Sequence, residues 1–99
     1  MPGDTGGQAM PRYLIERDFA EGLNIPMNDE GAAICRKVCD NNTEFGVTWI
    51  HSHVTPDRRR TYCIYDGPSP EAIRRAADFN KLPVSRITEV RGLDPYFFK

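Results

Sequence analysis

The chain has 99 residues, enough for one domain whose hydrophobic core needs no metal or disulfide staple. Thirteen Lys and Arg against fourteen Asp and Glu leave a net charge of -1, so no overall field draws it to nucleic acid or an anionic membrane. No apolar run approaches a membrane span, and the odd set Cys35, Cys39 and Cys63 fits thiols in a reducing, cytoplasmic compartment.

Residues 1–11 are small and polar, which predicts a disordered tail without the apolar middle of a signal peptide; Met10 is an alternative start. Residues 12–99 are then one domain. Arg12 to Phe19 reads as a strand and Glu21 to Pro26 as a loop. Asn28 caps a helix that carries Asp29 and Glu30 at the positive end of its dipole, and Asn41-Asn42 ends it. Cys35 and Cys39, one helical turn apart beside Ile34 and Val38, read as small buried thiols, since their spacing is wrong for a zinc knuckle.

Val47 to Thr55 and Arg59 to Tyr65 are rich in β-branched and aromatic residues, and Pro56-Asp57 between them predicts a long hairpin. Ser69-Pro70-Glu71 opens a second helix, with Ile73, Ala76, Ala77 and Asn80 on one face. Leu82-Pro83 breaks it, Val84 to Val90 is a last strand, and Asp94 to Phe98 is an aromatic tail. The order predicts an α+β, ferredoxin-like βαββαβ sandwich, a four-stranded antiparallel sheet with two helices on one face. The other sheet face is left uncovered, which predicts a homodimer.

The two histidines of the chain, His51 and His53, stand two apart in the second strand and so converge on one side of it. By alternation Val47, Trp49, His51 and His53 share a face, and Ile50, Ser52 and Val54 the other. His-x-His offers two borderline nitrogen ligands for a divalent transition metal, with Glu16, Asp18, Cys63 and Asn80 as topological candidates for the rest. The bland reading is two solvated hairpin histidines. Cys63 reads as a buried inert thiol; as a nucleophile it would need His51 or His53 across the hairpin. Arg58-Arg59-Arg60 reads as a solvated hairpin tip. Strand aromatics Tyr13, Tyr62 and Tyr65 would suit an RNA-recognition module, but its Gly-bearing signature is absent and no nucleic-acid partner is expected.

Trp49, Cys63, the run Gly67-Pro68-Ser69-Pro70-Glu71-Ala72, and Ile87-Thr88-Glu89-Val90 carry a family pattern. From about Tyr13 to Val90 the chain resembles the small bacterial family labelled nickel-binding protein, otherwise a domain of unknown function. The resemblance implies a ferredoxin-like sandwich, a homodimer and, in the characterised branch, nickel binding. That branch carries a histidine near the end of strand one, where this chain has Glu16-Arg17-Asp18, and another late in helix two, where it has Asn80.

The leading expectation is a homodimer that binds nickel or another divalent transition metal at His51 and His53. The same pocket, lined by Glu16, Arg17, Trp49, His51 and Asn80, would otherwise take a small anionic or polar molecule. The alternatives are a cofactor-free enzyme of the dimeric α+β-barrel type with a histidine as acid or base, and a plain protein-interaction module.

Overall fold

The computed structural model describes residues 10–93, 95 and 96. Its elements follow the expected order: β1 (Arg12–Asp18), α1 (Asp29–Thr43), β2 (Thr48–Val54), β3 (Arg60–Asp66), α2 (Pro70–Asn80) and β4 (Arg86–Val90). The strands form one antiparallel sheet in the order β2-β3-β1-β4, so β2 and β4 are its edges. Two helices and this sheet make the ferredoxin-like α+β arrangement. Most of the expected N-terminal tail and much of the aromatic tail lie outside the described residues.

Both helices start where capping chemistry places them. Asn28 Oδ1 accepts from the Gly31 N–H at 3.1 Å and Ser69 Oγ accepts from the Ala72 N–H at 3.2 Å, while Pro70 occupies a position whose N–H has no helical partner. Lys81, in the left-handed region at φ 60°, closes α2. Asn41 and Asn42 do not end α1; it runs on to Thr43 and turns Asn42 into the interior.

Alternation sets the core. Tyr13, Ile15 and Arg17 of β1 and Thr61, Cys63 and Tyr65 of β3 are buried on the helix side, against Ala72, Ile73, Ala76 and Ala77 of α2. Val47 joins this cluster, and Phe45, Trp49, Val84 and Ile87 pack around it. Leu14, Glu16, Tyr62 and Ile64 alternate onto the opposite, helix-free face and are half-buried.

The two helices contribute unequally. The buried residues of α1 are Gly31 and Asn42, and Ile34 is exposed. This corrects the expectation for the α1 thiols: Cys39 is exposed and Cys35 half-buried, because their side of the helix is not fully pressed against the sheet, whereas Cys63 is buried as expected. Gly31 marks the closest approach of α1 to the preceding loop, since a Cβ there would collide with the Pro26 carbonyl.

The hairpin tip is more tightly held than a solvated edge. Arg58 adopts φ 62° and donates to the carbonyls of Leu23 and Ile25, each at 2.9 Å, tying the β1–α1 loop to the β2–β3 turn. Arg60 bridges to Asp18 and Glu16 on the helix-free face. Arg59 stays exposed.

Candidate functional site

The decisive local feature is a β-bulge in β2. Trp49 stands opposite Tyr65 but His51 stands opposite Ile64, so two steps along β2 match one along β3 and Ile50 is the extra residue. Beyond the bulge Ser52 stands opposite Cys63 and His53 opposite Tyr62. The phase of the strand has reversed. Val47 and Trp49 face the helices as expected, but His51 and His53 do not share their face; they join Tyr62 and Ile64 on the helix-free side, and Ser52 takes the helix side. Alternation cannot see an inserted residue, and the correction follows from that single extra position.

On the helix-free face the imidazole centroids lie 5.2 Å apart with the rings nearly perpendicular at 85°, and both side chains are exposed. The register lays out two rows across the sheet: His51, Ile64, Leu14 and Thr88 in one, His53, Tyr62, Glu16 and Arg86 in the next. Glu16 is thus on the histidine face but with β3 between them. Arg60 caps the second row, bonded to Asp18 at 2.9 and 3.1 Å and to Glu16 at 3.2 Å, with its guanidinium carbon 5.9 Å from the Tyr62 ring centre. Ser85 Oγ donates to Asp18 at 2.6 Å, and this bond, with that from Arg60, holds the Asp18 carboxyl below its usual range. Among the described residues no three of His, Cys, Asp and Glu converge as a metal cage. One chain therefore presents a two-nitrogen handle.

The helix side holds a second polar constellation. Arg17, 3% exposed, donates to the Pro83 carbonyl at 2.8 Å and to the Tyr65 hydroxyl at 3.4 Å, and lies 5.7 Å from the Tyr65 ring centre. Among the described residues no carboxylate pairs with it. Trp49 stacks on the same tyrosine, 6.4 Å away at 12°. Asn42 is fully buried; its Oδ1 accepts from Asn80 Nδ2 at 3.0 Å, and Asn80 Oδ1 accepts from Asn41 Nδ2 at 2.8 Å. Asn42 Nδ2 has no hydrogen-bond partner of good geometry, although its amide lies near enough to the Tyr65 hydroxyl to oppose the rise that burial imposes on that phenol.

A family model described as nickel responsive protein SCO4226-like matches residues 13–90. The chain belongs to this family. No curated protein matches it in sequence. Among solved structures it is similar to SCO4226 from Streptomyces coelicolor A3(2), with a TM-score of 0.66 and 18% identity over 84% of this chain and 99% of that chain; the likeness is one of fold.

In this SCO4226-like chain the expected ligand-pocket residues divide between the two sides of the sheet. Arg17, Trp49 and Asn80 lie on the helix side, linked through Tyr65 and Asn42; Glu16, His51 and His53 lie on the other. No single pocket collects all of them. The sequence reading missed Asn42 as an interior residue, and one signal for it was present: it extends the helical stripe Cys35, Val38 at the next turn. Tyr13 and Tyr65, the would-be stacking aromatics, are core residues. Among the described residues no helix is long and apolar enough to cross a membrane.

Proposed function

We propose that this chain is a small homodimeric binding protein that holds a nickel-like divalent cation through His51 and His53. The observation that carries the reading is the pair of exposed imidazoles, 5.2 Å apart on one sheet face. Neutral imidazole nitrogens suit the borderline cations Ni²⁺, Zn²⁺ and Cu²⁺, and the nickel-responsive family name points the same way. Homodimerisation is supported by Leu14, Tyr62 and Ile64 on a sheet face that, among the described residues, no helix covers. The three free cysteines suit a reducing, cytoplasmic setting. Calorimetric titration of tag-free protein with Ni²⁺ and with Zn²⁺ tests the reading. Saturable micromolar binding that disappears in the His51→Ala/His53→Ala double variant is expected; no binding, or binding that survives in the variant, refutes it.

A second reading concerns the helix side, where Arg17, Trp49 and Asn80 would take a small anionic or polar ligand. It is favoured by one observation: among the described residues Arg17 has no carboxylate partner, and the nearby Asn42 Nδ2 has no hydrogen-bond partner of good geometry, leaving a surplus of donors. Because Trp49 is the chain's one tryptophan and stacks on Tyr65, its emission reports occupancy. Emission that does not change on titration with phosphate or acetate counts against this site.

A further inference from the structure

We infer that His51 and His53 are half of a four-nitrogen site, completed by the same pair on a second copy whose helix-free sheet face packs against this one. One cation is then held per two chains. The inference rests on the metal reading above and specifies what completes that site. Two imidazoles are too few for a stable borderline-metal centre, which takes four donors, and no third His, Cys, Asp or Glu converges on them among the described residues. A two-fold axis supplies the shortfall without any new residue type, because it duplicates the pair.

The face is suited to a copy of itself. Leu14, Tyr62 and Ile64 give it an apolar centre, and Ile64 is the direct cross-strand neighbour of His51. Its charges are largely neutralised in place: Arg12 pairs with Asp66 at 2.7 Å, and Arg60 pairs with Asp18 and Glu16. An approaching copy thus meets matched charges. Since β2 is an edge strand, the axis that joins the histidines runs across the strands and lays β2 over its counterpart. Stacked sheets lie about 10 Å apart, a gap filled by side chains reaching from both sides, so both imidazole pairs meet within it.

Native mass spectrometry and sedimentation equilibrium of the full chain, with and without Ni²⁺, test this. A cation bound by two chains must tighten their association by linkage. The expected results are one Ni²⁺ per two chains and a dimer association constant at least about tenfold higher with metal, both lost in His51→Ala/His53→Ala. Ile64→Glu, a half-buried position on the helix-free face, is expected to weaken the dimer while circular dichroism remains that of the parent chain. One Ni²⁺ per chain, an association constant indifferent to metal, or a dimer indifferent to Ile64→Glu overturns the inference while leaving the metal reading standing. Absence of binding overturns both.

Discussion

Trp49 donates its indole N–H to Ser52 Oγ at 2.8 Å, joining the residue before the β2 bulge to the first helix-facing residue after it. The bond fastens the two phases of one strand together on the inner side while the histidines emerge on the outer. Ser52→Ala removes it and leaves a half-buried indole N–H without its partner. A loss of about 1 kcal/mol is expected in urea unfolding, with a shift in Trp49 emission. Unchanged stability and emission would show that the bulge holds without this clamp.

The asparagine chain makes an asymmetric prediction. Asn80 both donates to the fully buried Asn42 Oδ1 and accepts from Asn41, so Asn80→Ala strands a buried carbonyl oxygen and is expected to cost about 2 kcal/mol. Asn41→Ala frees a group that water can reach and is expected to cost about 1 kcal/mol or less. Equal losses in the two variants, measured by denaturant unfolding, would contradict the assignment of Asn42 to the interior.

Gly31 has no room for a side chain. In most helices Gly→Ala stabilises, but here the new Cβ meets the Pro26 backbone, which cannot move as a flexible side chain would. Gly31→Ala is expected to destabilise by about 2 kcal/mol or more, despite the better helix propensity of alanine. A thermal midpoint equal to or above that of the parent chain would refute the close approach.

The carboxyl of Asp18 is held low first by the Ser85 hydroxyl and then by Arg60. Its folded pKa lies below its unfolded one, so its contribution is present above the unfolded value of about 4 and fades as pH falls through the folded value. Ser85→Ala is expected to move the Asp18 pKa upward, so that this contribution is lost at higher pH than in the parent chain. Carboxyl-carbon NMR titration reads the shift directly; a pKa that stays put would assign the depression to Arg60 alone.

Much of this fold was legible because local chemistry and tertiary packing agree. Asn28 and Ser69-Pro70 mark helix starts through backbone donors that need partners, and the alternation of β1 and β3 sorts Tyr13, Ile15, Cys63 and Tyr65 inward. The site was less legible. The approach of His51 to His53 follows from their spacing, but the face they occupy depends on pairing with β3, and no residue type announces the extra position at Ile50. The α1 thiols misled for a related reason. Helical periodicity says which residues share a side, not how closely that side is pressed to the sheet, and in α1 the buried positions are Gly31 and Asn42.

The bulge makes strand register a determinant of chemistry. A relative with the same His-x-His and the same count from Val47 but a regular, unbulged β2 would set its first imidazole opposite Cys63 on the helix side, whereas one lacking both the bulge and its extra residue would keep the pair on the helix-free side. Whether one residue of β2 is bulged out of the ladder is therefore enough to move a nitrogen pair between an outward, shareable surface and a private interior.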